Sequence, residues 1–347
     1  MRKWIIAVLV CSLALIFSSG CASNRPGWLA QKPKKALVVT VTTGFRHSSI
    51  KTAETILAKL GQESGAFTVD YVQQPGKQPE EPRKPNEPAV PKPNPDPEKQ
   101  KAQEEKYEAD HAKYETALAK YQADEARLKA DYKVAEAEWQ AKVKETLTKL
   151  SGASLKNYDI VIFANTTGDL PLPNPYAFIN WVRGGGAFVG MHSASDTFHG
   201  FWPYIQMLGG EFQTHGAQER VECIVKDSNH PATKHLGPAY NIGGTNEEIY
   251  IIKNYDTANV HELLFLDKHP NTRQPGHHPI SWCKEFGKGR VFYTALGHNE
   301  FVWTREDYQK HILGGIKWAL GFERGDGKPN LSSSIQKLTG IKQSSTQ

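Results

Sequence analysis

Ala36-Leu-Val-Val-Thr-Val-Thr42 is an unbroken run of apolar and β-branched residues. A strand with one face in water alternates polar and apolar positions. This one does not, so it reads as a strand buried on both faces, as in a parallel sheet covered by helices. Thr43-Gly-Phe-Arg-His-Ser48 follows as a loop. Ser48 or Ser49 is placed to cap a helix running through Leu60. Phe67 to Val72 is the next strand. This β-loop-α-β opening predicts an α/β fold: an open sheet with helices on both faces.

The same pattern returns in the second half. Asp159-Ile-Val-Ile-Phe-Ala164 is another doubly buried strand, and Asn165-Thr-Thr-Gly-Asp-Leu170 is its exit loop. Asn174-Pro175 opens a helix with a capping side chain and proline in the first turn. That helix ends at Arg183, where Gly184 suits a left-handed cap. Ala187-Phe-Val-Gly-Met191 is a short strand with His192 at its end. Residues 219–226, 248–252, 262–266, 280–286 and 290–295 read as further strands. Asp307 to Leu320 is a closing amphipathic helix.

Between the halves the composition changes. Gln74 to Pro97 is crowded with Pro, Lys and Glu, and is expected to be extended or disordered. Glu98 to Leu150 has no Gly or Pro until its end, and is rich in Ala, Glu, Lys and Gln. Tyr107, Tyr114, Tyr121 and Leu128 recur every seven residues. This predicts a long helix with a coiled-coil-like stripe. The stripe holds aromatics and breaks such as Glu125 rather than Leu, Ile or Val. A solvated spacer helix therefore fits better than a dimerising one, with self-association through 98–150 as the alternative.

The termini and composition narrow the compartment and the partners. Arg2 and Lys3 precede an apolar run from Trp4 to Phe17, and small residues lead to Cys21. That is the layout of a secretory leader. Ser18-Ser-Gly-Cys21 is similar to a bacterial lipobox, with Ser18 where Leu is usual. Residues 1–20 are thus expected to be a lipoprotein signal peptide, Cys21 the lipidated residue and 21–34 a tether. The protein would be anchored to a membrane on the periplasmic or cell-surface side. A cleaved leader on a freely secreted protein is the plainer alternative. Cys223 and Cys283 remain in the body, either as one disulfide or as buried thiols. The formal charge of +5 falls to +3 without Arg2 and Lys3, too little to suggest nucleic acid.

Polar residues gather at predicted strand ends, where open α/β sheets form their sites. His47 follows the first strand, Asn165 the strand from Asp159, and His192 the strand from Ala187. Asp196 lies four residues beyond His192. His298 follows the strand from Arg290, His215 follows a Gly pair, and Glu248 opens a strand. One loop histidine is usually a surface or capping residue. Several at strand ends are hard to assign to packing alone.

These positions fall inside longer strings: Val41-Thr-Thr-Gly-Phe-Arg-His47, Gly184-Gly-Gly-Ala-Phe-Val-Gly-Met-His192-Ser-Ala-Ser-Asp196, Leu208-Gly-Gly-Glu-Phe-Gln-Thr-His215, His230-Pro-Ala-Thr-Lys234, Asn246-Glu-Glu248-Ile-Tyr250, Gly287-Lys-Gly-Arg-Val-Phe-Tyr-Thr-Ala-Leu-Gly-His298 and Gly314-Gly-Ile-Lys-Trp318-Ala. In this order, from Lys35 to Gly321, the chain resembles the ThuA-like (trehalose-utilisation) family. The resemblance implies a flavodoxin-like, class I glutamine amidotransferase-like sheet over 35–73 and 151–323. Residues 74–150 would be an insertion and 324–347 a polar tail. It also implies a link to trehalose-type glycosides, through 3-keto sugars. Amidotransferases carry a Cys nucleophile on a sharp strand-to-helix turn, and here that turn carries His192. Cys-dependent amidotransfer is therefore not expected.

The residue types suit proton transfer. A 3-keto sugar has an acidified C–H beside its carbonyl, and its removal lets the glycosidic oxygen leave. His192 and His298 are the expected acid/base pair, with Asp196 or Glu248 orienting or sharing the work. Arg46, His47, Asn165 and His215 would hold the sugar or polarise its carbonyl. Trp202 and Trp303 would stack at the rim. Three histidines and a carboxylate also form a ligand set for a divalent metal, although no short spacing signature marks one. The expected activity is that of a hydrolase or lyase on a glycoside or keto-sugar. The alternative is a non-catalytic carbohydrate-binding or scaffold lipoprotein.

Overall fold

The structure is a computed structural model that describes residues 32–242, 244 and 246–331. The leader, Cys21 and most of the expected tether and polar tail lie outside the described residues.

The opening segment folds as its pattern predicts. Strand β1 (Lys34–Val39) leads to helix α1 (Ile50–Ser64) and strand β2 (Phe67–Val72). The second half supplies β3 (Ile160–Ala164), helix α4 (Pro175–Arg183) and β4 (Ala187–Met191). β2, β1, β3 and β4 lie side by side and parallel. β11 (Gly289–Thr294) extends the parallel set next to β4, and helix α7 (Glu306–Ala319) follows it. The parallel order β2-β1-β3-β4-β11 is that of a flavodoxin-like doubly wound sheet, whose direction of winding reverses between β1 and β3. Both faces of β1 and β3 are buried, because apolar cores lie on each side.

An antiparallel extension completes the sheet. β10 (Pro275–Phe286), β9 (His261–Lys268), β6 (Glu222–Val225) and β7 (Ala239–Asn241) follow β11 in that order. A separate antiparallel pair joins β5 (Glu211–His215) to β8 (Tyr250–Lys253). β5 and β7 are absent from the sequence expectation. β5 has three exposed residues in five, so no apolar run marks it. Two capping expectations also need correction. Gly184 is right-handed at φ −79°, and Gly185 takes the positive φ of 127° instead. Ser49 stands at the start of α1 without capping it. Its hydroxyl is drawn to Gly297 O and to Asn165 Nδ2.

The insertion is ordered throughout. Helix α2 (Pro97–Thr146) has 50 residues, and Asp96 caps it by accepting from Glu98 N and Lys99 N. Only Trp139 and Val143 of this helix are fully buried, and they join the core of the α/β domain. The stripe predicted from the sevenfold spacing exists. Tyr107, His111, Tyr114, Leu118, Tyr121, Leu128 and Tyr132 are half-buried on a largely exposed helix. What covers them is the chain's own proline-rich segment. Pro79, Pro82, Pro85, Pro88 and Pro91 are half-buried with exposed residues between, the three-residue period of polyproline II. Glu87 lies 4.0 Å from His111, and Trp139 Nε1 donates to Gly76 O at 3.5 Å. Asn94 N donates to Gln100 Oε1 at the other end. The lengths agree. Gly76 to Asn94 spans roughly 56 Å at about 3.1 Å per residue, and Gln100 to Trp139 roughly 58 Å at about 1.5 Å per residue. The segment is therefore extended rather than disordered, because a row of rigid proline rings meets a row of aromatic ones. Among the described residues no helix is long and apolar enough to cross a membrane.

Cys223 and Cys283 are both buried and free. Two buried histidines give the domain an acid sensitivity. His311 lies in the core with Nδ1 donating to Ala232 O, and burial pushes its pKa down to about 4. Burial, with His261 nearby, takes His230 down to about 3. Both are neutral in the fold, whereas an unfolded histidine titrates near 6.5. Acidification therefore protonates the unfolded chain first. The penalty is absent above about pH 6.5, grows as pH falls, and levels off below the folded values. Chemical denaturation between pH 7 and pH 4.5 should show stability falling on the order of 2 kcal/mol per histidine. His311→Gln should flatten that slope, and an unchanged slope would dismiss this source.

Candidate functional site

The site follows from where parallel strands end. β1, β3, β4 and β11 all point their carboxyl ends the same way, so the loops after them meet. His47 comes from the loop after β1, Asn165 from that after β3, His192 from the end of β4 and His298 from the turn after β11. The β5–β8 pair brings in the rest: His215 ends β5, opposite Tyr250, and Glu248 stands two residues before Tyr250, the start of β8.

His192 is the centre. It follows β4 with φ 48°, a left-handed conformation that costs a non-glycine residue roughly 1–3 kcal/mol. The turn aims a fully buried imidazole across the strand ends. Its Nδ1 donates to Ala295 O at 2.8 Å, which leaves the lone pair on Nε2. Tyr293 Oη donates to His192 O at 2.7 Å, and Tyr250 lies 4.3 Å from the imidazole between ring centres. His47 Nε2 and His298 Nδ1 each stand 3.2 Å from His192 Nε2. Glu248 Oε2 is 3.2 Å from His298 Nδ1 and 3.6 Å from His192 Nε2. The other oxygen of Glu248 is 3.2 Å from His215 Nδ1. His47 Nδ1 turns away to Ser193 Oγ at 3.3 Å.

One ligand atom from each of His47, His192, Glu248 and His298 falls within 4.8 Å of all the others. Around a divalent ion with bonds of about 2.0–2.1 Å, neighbouring ligand atoms stand roughly 3.0–3.4 Å apart. Three of the separations here are 3.2 Å. Three imidazoles and one carboxylate also match the donor chemistry of such an ion. The cluster is poised electrically as well. Burial, reinforced by the neighbouring imidazoles of His192 and His298, pushes His47 down to about 3. Burial opposes ionisation of Glu248, but hydrogen bonds with His192 and His298 outweigh it and hold its carboxyl well below the usual carboxylate range. Burial likewise disfavours protonated His298, yet Glu248 beside it raises its pKa.

A second layer holds these groups in place. Glu247, adjacent to Glu248, turns the opposite way and accepts from Gly297 N at 2.8 Å and His298 N at 2.7 Å. Gly297 O accepts from Asn165 Nδ2 and from Trp303 Nε1. Gly297 has φ 114°, and a Cβ there would lie 2.6 Å from Tyr308 Oη. Only glycine fits this turn.

Several expected roles change. His192 and His298 do not flank an open space as an opposed acid and base, since their ring nitrogens face each other at 3.2 Å. Asn165 is buried behind the cluster and braces Gly297. Trp303 is fully buried and does the same, so it is not a rim residue. Trp202 is 52% exposed, as a rim residue would be, and no contact ties it to the cluster. Asp196 pairs with His199 at 2.5 Å, and His199 with Glu211 at 3.2 Å, a neighbouring group and not a cluster member. Arg46 bonds Thr40 O and Gln74 Oε1. The sequence reading gives Glu247 no role. The one available signal was Glu247-Glu248 before a strand, where alternation sends adjacent carboxylates to opposite sides.

The fold is a doubly wound α/β sheet with a buried histidine–carboxylate cluster across its strand ends, where such sheets form their sites. The chain belongs to the ThuA family: the family model, described as trehalose utilisation, matches residues 102–319. His192, His215, Glu248 and His298 lie within that match, and His47 precedes it. Two solved structures share the fold. A ThuA-like protein from Bacteroides uniformis is 19% identical with a TM-score of 0.53, covering 86% of this chain and 96% of its own. Another from Parabacteroides merdae is 17% identical with a TM-score of 0.54, covering 83% and 90%. No curated protein matches the chain.

Equilibrium dialysis of the purified protein against zinc or manganese, followed by elemental analysis, should find about one ion per chain. His192→Ala should lower that affinity at least about tenfold, the smaller end of what losing even an outer-shell partner costs. Equal loading of the variant would dismiss the ligand assignment.

Proposed function

We propose that this protein is a metal-dependent enzyme that cleaves or converts a glycoside or 3-keto-sugar by proton transfer. The convergence of His47, His192, Glu248 and His298 on one point carries the reading. General acid–base groups must reach a single substrate, and strand-end histidines spread over separate surfaces could not. The family's description as trehalose utilisation supports the substrate class.

His47 Nε2, His192 Nε2, His298 Nδ1 and Glu248 Oε2 would hold the ion, which when bound polarises a carbonyl or hydroxyl oxygen. The chain's own residues do the rest. Ala295 O, Ser193 and Glu247 fix the ring orientations, so that no reorganisation is needed when the sugar arrives. His215 is the proton-exchanging group. Its side chain is 44% exposed at the mouth of the cluster and stays within hydrogen-bond reach of Glu248. In a 3-keto glycoside it takes the C2 proton, and the electron pair moves toward the C3 carbonyl. The C1–O bond then breaks, and protonated His215 returns that proton to the departing oxygen. Water adding at C1 afterwards would make the net reaction a hydrolysis. With residues 1–20 read as a lipoprotein leader and Cys21 as the lipidated residue, this chemistry belongs on the outer side of a membrane.

The test is incubation with 3-keto-trehalose and simple 3-keto-glucosides, with and without chelator, following sugar release. Release should stop with chelator and return with added metal. His215→Ala should slow turnover by about 10²–10⁴-fold, the usual contribution of a general acid or base, while metal content is kept. Full activity in His192→Ala, or in chelated protein, would overturn the proposal.

A further inference from the structure

The loop that carries His47 has a second neighbour. Between Gly44-Phe-Arg46 and the start of the proline-rich segment lies a groove of ≈ 770 Å³, within the roughly 300–1,000 Å³ of small-molecule sites. Its walls include Phe45, Arg46, Gln74, Lys77, Glu80 and Arg83. One wall therefore belongs to the insertion and the other to the loop of the metal-ligand histidine.

The wall from the insertion is fixed to the sheet. Gln74 Oε1 accepts from Thr42 N at 2.8 Å, and Gln74 Nε2 donates to Thr42 O at 3.1 Å. Arg46 Nη1 donates to Thr40 O at 2.8 Å and faces Gln74 Oε1 at 3.4 Å. Phe45 connects the groove to the cluster. It is 68% exposed, and its ring meets His47 edge-on at 4.9 Å between centres. An exposed aromatic face beside a polar site is a platform for the C–H face of a sugar.

The charge of the groove narrows the ligand. Lys77 is satisfied by Glu80 at 2.5 Å. Glu54, behind the wall, partly balances Arg46. Arg83 is exposed on the segment and shares Glu80 with Lys77, so three cations face two carboxylates and about one positive charge remains in the groove. A guanidinium prefers a planar carboxylate, which it grips with two hydrogen bonds.

We infer that this groove is the subsite for the second ring of the substrate, and that it takes a sugar carrying one carboxylate, of the uronic acid type. The assignment rests on the reading of the neighbouring cluster as a sugar site. The proline-rich insertion then sets substrate choice: the cluster handles the reacting ring, while Phe45 and Arg83 select the ring beside it.

Titration calorimetry on the whole protein tests this with three probes: methyl α-glucoside, trehalose, and trehalose oxidised to the carboxylate at one C6. The acidic disaccharide should bind at least about tenfold more tightly than trehalose, as expected for one charge-assisted hydrogen-bonded pair. High salt should shrink that preference. Arg83→Ala should abolish it, and Arg83→Glu should reverse it. Phe45→Ala should weaken both disaccharides several-fold more than the one-ring glucoside. Equal binding of the two disaccharides, a preference surviving Arg83→Ala, or no binding of any probe would overturn the assignment. Keto-sugar turnover measured in parallel separates the two readings. Turnover without a charge preference removes only the groove assignment, and a charge preference without turnover removes only the chemistry.

Discussion

Nitrogen lone pairs repel one another, and three imidazoles with a carboxylate do not gather in a buried space unless something holds them there. In this protein the holding is done by backbone. Ala295 O fixes His192, Glu247 clamps the amides of Gly297 and His298, and Gly297 O collects Asn165 and Trp303. Ala295 and Gly297 follow β11, Asn165 follows β3 and Glu247 precedes β8, so the cluster depends on the sheet's register. A one-residue slip of β4 or β11 would turn His192 away or uncouple its partner at Ala295.

That dependence explains why so much of the polar sequence is structural. Asn165, Trp303 and Glu247 touch no open space, yet they decide where His298 points. The strained φ of His192 belongs to the same account. Its cost is offset by the surrounding packing, and in return a rigid imidazole stands at the sheet's edge. The pocket is therefore organised in two layers, donors in front and braces behind.

The insertion follows separate physics. Its helix buries only Trp139 and Val143 fully, and the aromatic stripe along the rest of it is only half-buried. Proline rings at every third position supply a preformed partner of matching length, so a long arm forms with little buried surface. Trp139 and Val143 on the helix and Gln74 on the proline-rich segment tie the same end of the arm to the domain. Because the tie lies beside the His47 loop, an element far from the sheet in composition reaches its edge.

Local chemistry made the sheet legible. Doubly buried runs such as Ala36–Thr42 and Asp159–Ala164 can hardly be anything but inner parallel strands, and histidines at their ends were visible as candidates. The helix from 98 onward was equally plain from its composition and sevenfold spacing. Hidden were facts that depend on distant partners. Nothing in the residues around Trp303 distinguishes a ring at a rim from one locked under Gly297. His192 and His298 look alike as acid, base or ligand until their nitrogens are seen 3.2 Å apart. The tyrosines showed their sevenfold period, but their pairing with the prolines requires two segments to fold back on each other. The sequence by itself determined the inner strands, the longer helices and which residues can carry charge or donate electron pairs, because those are properties of neighbours along the chain. Only the tertiary structure decided which of them converge, since convergence depends on strand order and register, and these are set by contacts between residues far apart in the chain.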